Sequence, residues 1–237
     1  MVADPSVESP LPAGHETAGS PLFARHNPGR DCPLCPRLVA FRHEARVREP
    51  GWHNAPVPSF GDDQARLLVV GLAPGLKGAN RTGRPFTGDH AGELLYATLG
   101  RFGFAEGQFE ARPDDGLRLV DACLTNAVRC VPPQNKPTGG EIATCRNFLA
   151  GTIAALPRLT VIAALGRIAH ESTLRALGEK LDRHRFAHAA RHRIGTLSLY
   201  DSYHCSRYNT NTGRLTEAMF QTVFAAVRAE LDGVASG

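Results

Sequence analysis

Apolar positions between residues 66 and 204 gather into four short runs that polar segments separate. Each run has about the length of a buried strand and is bounded by turn residues, as is typical of strands inside a parallel sheet. We predict strands within 66–72 (RLLVVGL), 119–131 (LVDACLTNAVRCV), 159–165 (LTVIAAL) and 195–204 (GTLSLYDSYH).

Helices are predicted between and after these strands, at 91–103, 138–156, 167–178 and 216–231. In the second of these, Thr138 and Glu141 have the spacing of a capping box, and apolar residues recur on one face. A further helix follows a cysteine pair near residue 31.

Alternating strands and helices predict an α/β fold with a mainly parallel sheet that is covered on both faces. In such sheets a ligand binds at the carboxyl ends of the strands. Two unusually polar loops, 73–90 and 203–214, directly follow predicted strands. We therefore expect both loops at the ligand-binding edge.

The two ends of the chain differ from its middle. Residues 1–28 are rich in Pro, Gly, Ser and Ala without a period, which predicts a disordered leader before a single domain at 29–233. The first residues lack the basic and apolar regions of a secretory signal, and no apolar run has the length of a membrane span. We therefore expect a cytoplasmic protein.

The formal net charge of +4 and the isoelectric point of about 8.9 are compatible with an acidic polymer as partner. The basic residues are almost all arginines, which suit bidentate contacts with phosphate.

Four of the six cysteines form two pairs. Cys32 and Cys35 have the C-x2-C spacing of a metal site, and Cys130, at the expected end of the second strand, precedes Cys145 on the following helix. Four thiolates suit either a tetrahedral zinc ion or a [4Fe–4S] cluster, and the spacing does not decide between them. Alternatively, Cys130 and Cys145 are ordinary buried cysteines. Cys123 and Cys205 are expected to be non-ligands.

The loop at 73–90 contains Asp89 and Phe86, and each of them has a structural and a functional interpretation. Asp89 precedes a predicted helix, so it is either a helix N-cap or a carboxylate at the mouth of a pocket that orients water. Phe86 is either a core residue or a face for stacking. The glycines of the loop allow backbone amides to approach a ligand closely.

The loop at 203–214 is dense in hydrogen-bond donors: His204, Ser206, Arg207, Asn209, Asn211 and Arg214. Serine, asparagine and arginine side chains are those that contact phosphates. A plain surface turn is the alternative, but it leaves a histidine at the end of a strand unexplained.

The two loops together resemble the signature pair of the family 5 (type b) uracil-DNA glycosylases. The resemblance rests on GLAPGLKGANRTGRPFTGD (71–89), SYHCSRYNTNTGRLT (202–216), LTNAVRC (124–130) and the four cysteines. It implies a three-layer α/β/α sandwich with a central four-stranded sheet, and a [4Fe–4S] cluster on Cys32, Cys35, Cys130 and Cys145 rather than zinc.

The resemblance also implies roles for individual residues. Asp89 matches the catalytic aspartate, His204 the histidine near the leaving base, and Asn126 the asparagine that hydrogen-bonds the base edge. The substrate pocket is expected to include Gly71, Ala73, Pro74, Phe86, Asn126 and His204. The DNA-contacting residues are expected to be Asn80, Arg81, Ser206, Arg207, Tyr208, Asn209 and Arg214. Tyr208 departs from the family pattern, which usually has glutamine there.

The implied activity is hydrolysis of the N-glycosidic bond of uracil, and of deaminated purines such as hypoxanthine and xanthine, in DNA. A monofunctional, monomeric, nucleoid-associated bacterial enzyme is expected. Two alternatives from other classes are a non-catalytic nucleic-acid-binding module with an iron–sulfur cluster and an iron–sulfur electron carrier.

Overall fold

The computed structural model describes residues 22–233. Its strands are β1 (Phe60–Gly61), β2 (Leu67–Gly71), β3 (Ala105–Glu106), β4 (Arg118–Leu119), β5 (Ala122–Asn126), β6 (Val161–Leu165), β7 (Arg191–Ile194) and β8 (Leu197–Ser202). Its α-helices are α1 (Pro36–Arg48), α2 (Ala79–Thr82), α3 (His90–Arg101), α4 (Gly139–Ala154), α5 (Arg167–Ala176), α6 (Arg207–Asn211) and α7 (Glu217–Leu231). Three short 3-10 helices occupy Leu22–His26, Pro133–Asn135 and Leu181–Arg183.

The main sheet has the strand order β1-β5-β2-β6-β8-β7. Its four central strands are parallel and correspond to the four predicted ones, so the mainly parallel sheet is confirmed. The predicted number of strands is wrong, because β1 and β7 add an antiparallel strand at each edge. β1 has two residues, and β7 (RHRI) carries charges on an edge, so neither shows the apolar pattern of a buried strand.

Helices cover both faces of the sheet, as the α/β/α interpretation requires. Alternate residues of β2 enter opposite cores: Leu67 and Val69 pack in a cluster with α3 and α7, and Leu68 and Val70 pack in a cluster with α4 and α5. Because a strand side chain reverses direction at each residue, a continuous apolar run marks a strand that is buried on both faces.

Local signals set where two helices begin. Thr138 and Glu141 form the predicted capping box of α4, with the Thr138 hydroxyl accepting from the Glu141 N–H and the Glu141 carboxylate accepting from the Thr138 N–H. Asp89 is the N-cap of α3.

Two segments differ from the sequence-based expectation. β5 ends at Asn126, so Cys130 does not end a strand but lies four residues beyond it. The loop at 203–214 contains the short helix α6. Within the predicted leader, Leu22–His26 form a 3-10 helix; its residues 1–21 lie outside the described residues. Across residues 22–233, no helix is long and apolar enough to cross a membrane.

Candidate active site

A cavity of about 570 Å³ opens at the carboxyl ends of the central strands, and both polar loops line it as their position after the strands predicted. The loop after β2 contributes Leu72, Ala73, Gly75, Gly88 and Asp89. The end of β6 and the start of α5 contribute Leu165, Gly166, Ile168 and Ala169. The loop after β8 contributes His204, Ser206 and Arg207.

Asp89 both caps a helix and faces the cavity, so its two interpretations are compatible. Its Oδ1 accepts the N–H of Gly92, 3.1 Å away, in the first turn of α3. Its Oδ2 lies against the glycine-rich loop, where a Cβ atom at Gly75 or Gly78 would approach it to 3.1 Å or 2.9 Å. The missing side chains at these two glycines are therefore what lets the loop close around the carboxylate.

The surroundings of Asp89 also raise its pKa. The side chain is accessible through the cavity, but protein surrounds it on its other sides, and this loss of hydration disfavours the charged form. The backbone N–H groups of Gly92 and Ala91 oppose the rise, because they donate to the carboxylate. The carboxyl group is thus easier to protonate than an ordinary aspartate.

His204 presents a neutral imidazole to the cavity. Burial lowers the pKa of its side chain to about 4, so the ring is uncharged at neutral pH. Its Nδ1 is buried and has no hydrogen-bond partner within residues 22–233. Its backbone carbonyl accepts from the side-chain amide of Asn209 at 2.8 Å, which ties the strand end to α6.

Gly71, Phe86 and Asn126 pack together beside the cavity without lining it. Gly71 and Asn126 are paired at the ends of β2 and β5. A Cβ atom at Gly71 would lie 2.5 Å from Oδ1 of Asn126 and 2.5 Å from Cζ of Phe86, so glycine is required for this packing. The Phe86 ring is tilted by 31° to the His204 ring, with their centroids 6.4 Å apart. Pro74 is buried and does not line the cavity either.

A buried ion pair holds the segment that carries Phe86. Arg84 donates to both carboxylate oxygens of Asp115, at 2.8 and 2.6 Å, and both side chains are almost fully buried. The Tyr96 hydroxyl donates to the carbonyl of Pro85 at 2.8 Å. Phe86 itself has a φ of +56°, a conformation that costs a non-glycine residue energy and that the surrounding contacts must maintain.

The loop after β8 presents several of its predicted DNA-contacting side chains to solvent. Ser206 is the N-cap of α6, and Arg207 is exposed beside the cavity. Tyr208 is 73% exposed. The exposed Arg214 lies over the ring of Tyr203, 4.7 Å from its centroid.

Asn80 does not belong to this surface. Its side chain is 1% exposed, and its amide donates to Oδ1 of Asn54 at 2.8 Å. The side chain of Asn80 is therefore an internal support of the glycine-rich loop, and its contact with DNA stays a prediction. Its neighbour Arg81 is exposed.

Comparisons with known proteins agree with this architecture. A family model described as "Uracil DNA glycosylase superfamily" matches residues 58–228. A type-5 uracil-DNA glycosylase from Thermus thermophilus is 49% identical over 81% of this chain and 90% of its own length. This chain belongs to the type-5 uracil-DNA glycosylase family.

Two further members of the family cover similar shares. A type-5 uracil-DNA glycosylase from Pyrobaculum aerophilum is 37% identical over 84% of this chain and 89% of its own length. Another, from Mycobacterium bovis, is 40% identical over 81% of this chain and 75% of its own length. The family inferred from the two polar loops is thus confirmed.

The structure brings the four paired cysteines around one small cavity, next to the active-site cavity. Apolar side chains enclose it: Leu34, Leu38, Val128 and Phe148. Within residues 22–233, no three of the four sulfurs lie within 4.8 Å of one another. A tetrahedral zinc ion with Zn–S bonds of about 2.3 Å needs sulfurs about 3.8 Å apart. In this structure the four sulfurs are therefore not placed as the ligands of one tetrahedral zinc ion.

The surroundings of these thiols disfavour their ionised form. Burial raises the pKa values of Cys35, Cys130 and Cys145, that of Cys130 to about 12, so the free thiols are protonated at neutral pH. The N–H of Arg129 donates to Sγ of Cys145 at 3.3 Å, which suits an ionised sulfur.

Ala73 lies between the two sites. It lines the active-site cavity and also packs in the apolar cluster around the cysteines.

Sequence reasoning missed one wall of the active-site cavity. Gly166, Ile168 and Ala169 form that wall at the start of α5, and Asn135 reaches the cavity from the proline-rich loop. Gly166 follows β6 just as the two polar loops follow β2 and β8, so its position in the sequence could have predicted a place at this edge of the sheet. No sequence feature predicts the position of Asn135, because only the folded path of its loop brings it near the cavity.

Proposed function

We propose that this chain is a uracil-DNA glycosylase that accepts a flipped-out nucleotide and hydrolyses its N-glycosidic bond, leaving an abasic site. The observation that carries the proposal is the cavity that brings Asp89 and His204 together in a chain of the type-5 family. Enzymes that act on a base inside a duplex must extrude it into such a pocket.

Asp89 acts on the sugar side of the bond. In a dissociative reaction, positive charge develops on the sugar while the bond to the base breaks. The Asp89 carboxylate stabilises this charge and orients the attacking water. Its Oδ2, beside Gly75 and Gly78, is the oxygen that holds this water.

His204 and Asn126 act on the base. Because burial keeps the imidazole of His204 neutral, it serves as a hydrogen-bond donor to the departing base rather than as a cation. Backbone amides near Ala73 assist in the same way. Asn126 hydrogen-bonds the edge of the base, and Phe86 stacks on the face of the base. Both residues lie beside the cavity, so the bound base must extend from the cavity to them.

The duplex lies across the loop after β8 and the glycine-rich loop. Arg81, Ser206, Arg207 and Arg214 contact phosphates, which position the DNA without reading its sequence. Asn209 contributes mainly by holding the backbone of His204. The exposed Tyr208 fills the gap that the flipped nucleotide leaves.

The substrate range extends to hypoxanthine and xanthine. The cavity volume of about 570 Å³ has room for a purine, and Ala73 gives an apolar wall that does not demand the polar pattern of uracil. The enzyme is monofunctional, because water is the nucleophile; Lys77 is the only lysine in either polar loop, and borohydride should trap no covalent adduct with DNA.

Cys32, Cys35, Cys130 and Cys145 hold a [4Fe–4S] cluster. The support is the enclosure of all four by one apolar cavity, with sulfurs too far apart for one zinc ion. Two of these cysteines precede α1, one follows β5 and one lies in α4. The cluster would therefore connect three segments of the chain, which is a structural role. Protein prepared without oxygen should be brown, with iron and sulfide in about equal amounts; colourless protein with one zinc ion per chain would contradict the assignment.

The decisive experiment for the activity uses a duplex with one labelled uracil. Incubation with the purified protein followed by alkali should cleave the labelled strand at the uracil, and a thymine duplex should remain intact. Binding without cleavage would favour the non-catalytic module, whereas neither binding nor cleavage would favour the electron carrier. Parallel duplexes with hypoxanthine, xanthine or adenine define the range, and excision of hypoxanthine no faster than adenine would refute the broad pocket.

A further inference from the structure

Two arginines are buried beside the four-cysteine site. Arg129, which precedes Cys130, is 0% exposed, and Arg42 in α1 is 2% exposed. A guanidinium is charged at any physiological pH, and a buried charge is costly unless an opposite charge accompanies it. Both arginines therefore require a negatively charged group nearby.

Arg129 has only neutral hydrogen-bond partners. Its Nη1 donates to Oδ1 of Asn27 and to the hydroxyl of Ser59, both at 2.9 Å, and its Nη2 donates to the hydroxyl of Thr152 at 2.8 Å. Its Nε is buried and has no partner within residues 22–233. None of these groups balances the positive charge.

Arg42 faces the cysteine site itself. Its Nη2 donates to the carbonyl of Cys32 at 3.1 Å, and its Nη1 lies 3.8 Å from Sγ of Cys130. Its Nε is also buried without a partner in the described part of the chain. The carboxylate of Asp31 is close enough to act on it, but Asp31 is exposed and pairs with Arg46 at 2.6 Å.

Another buried arginine of this chain, Arg84, has a carboxylate as its counter-charge. The guanidinium of Arg84 is buried too, and there the carboxylate of Asp115 receives it with two hydrogen bonds. Among residues 22–233, no carboxylate forms an ion pair with Arg42 or Arg129. What lies beside these two arginines instead is a set of four cysteines.

We propose that Arg42 and Arg129 are the counter-charges of the four-cysteine site, where they offset the net negative charge of a metal group held by four thiolates. The proposal rests on the proposed function only in requiring such a group, and it applies equally to an iron–sulfur cluster or to zinc. Hydrogen bonds and charges around the sulfurs are among the features that set the reduction potential of a cluster.

The arrangement predicts opposite effects on the loaded and the metal-free protein. When the metal group is bound, loss of a guanidinium leaves the net negative charge of the four-thiolate site uncompensated. When the metal group is removed, the guanidinium has no buried negative partner, so its replacement by a neutral side chain relieves a cost. A merely structural arginine would stabilise both forms.

The test compares Arg129→Gln and Arg42→Gln with Arg129→Lys and with Arg66→Gln, a control whose partner is Asp121. Iron release to a chelator should become roughly tenfold faster or more in the two glutamine variants, as expected for the loss of a charged hydrogen bond. Arg129→Lys should release iron at an intermediate rate, and Arg66→Gln at the wild-type rate. If the cluster is redox-active, its reduction potential should become more negative in the glutamine variants.

Thermal unfolding supplies the second readout. The Gln variants should unfold at lower temperature than wild type when loaded, and at the same or higher temperature after the metal is removed. Equal losses in both forms, unchanged iron release, or wild-type protein that binds no metal at all would each overturn the proposal. Zinc in place of iron would refute the cluster but leave this test intact, with zinc release as the measurement. Uracil excision is measured separately, so failure of the proposed activity is distinguishable.

Discussion

Oδ1 of Asn126 lies 2.5 Å from the position that a Cβ atom of Gly71 would occupy. The two residues end adjacent parallel strands, and Cζ of Phe86 lies 2.5 Å from the same position. The amide of Asn126 and the ring of Phe86 therefore keep their places only while residue 71 has no side chain.

We expect Gly71→Ala to impair excision while the protein remains folded. The added methyl group displaces the Asn126 amide, the Phe86 ring or both, and a displacement of about 1 Å in a positioned group can cost roughly 10²-fold in rate. Single-turnover excision of uracil measures the effect. Gly100→Ala is the matched control, since that glycine lies in α3 with nothing within 4 Å of its added Cβ. Equal rates in both variants would contradict the role of Gly71.

Asp89→Asn separates the two functions of Asp89. Asparagine caps helices about as well as aspartate, so α3 should keep its start, but the variant has no charge for the sugar or the water. The chemical step should slow by roughly 10²–10⁴-fold, while binding to uracil-containing duplex is retained. Thr216→Asn, at the N-cap of α7, is the control with full activity. A near-normal single-turnover rate in Asp89→Asn would leave Asp89 as a helix cap alone.

His204 should make the folded protein sensitive to acid. In the unfolded chain it takes up a proton near its ordinary pKa of 6.5, but in the folded protein only near 4. Its contribution to stability is therefore fully present above pH 6.5 and is lost as the pH falls from about 6.5 to about 4. Urea unfolding at pH 7.5 and 5.0 should show a smaller loss for His204→Gln than for wild type. The exposed His43→Gln is the control, and identical losses in all three proteins would refute the assignment.

Tyr208 should matter for paired DNA only. Stacking of an aromatic ring on a base contributes about 1–3 kcal/mol, and extrusion of a nucleotide is costly chiefly in a duplex. Tyr208→Ala should therefore slow excision from duplex DNA and leave excision from a single strand of the same sequence unchanged. An equal loss on both substrates would mean that Tyr208 shapes the loop, and no loss on either would mean that it has no part in extrusion.

The sequence predicted best what depends on local pattern. The buried strands around Leu67 and Val161 and the capping box at Thr138 each follow from a few adjacent residues. The edge strand at Arg191 pairs with the neighbouring β8 but lacks the apolar pattern of a buried strand, and the position of Asn80 depends on a partner 26 residues away. Asn80 in a glycine-rich loop is typical of a surface residue, and only its contact with Asn54 shows otherwise.

In the candidate site, too, some residues follow from the local sequence and others depend on the tertiary fold. Asp89 and His204 could be placed at one edge of the sheet because each belongs to a polar loop that follows a parallel strand. The wall at Gly166 and the pairing of Gly71 with Asn126 depend on how strands are ordered and registered, which β2, β5 and β6 acquire only on folding. The buried Arg42 and Arg129 are ordinary basic residues in the sequence; their burial and lack of carboxylate partners exist only in three dimensions.

Ala73 contacts both the active-site cavity and the packing around the four cysteines. Two binding events that share one side chain are thermodynamically linked when both favour the same position of it. If an occupied cysteine site favours one position of Ala73, and the flipped base favours the same position, each ligand raises the affinity for the other by an equal factor. DNA that carries a damaged base would then lower the metal concentration that half fills the cysteine site by the same factor by which the metal lowers the Kd for that DNA.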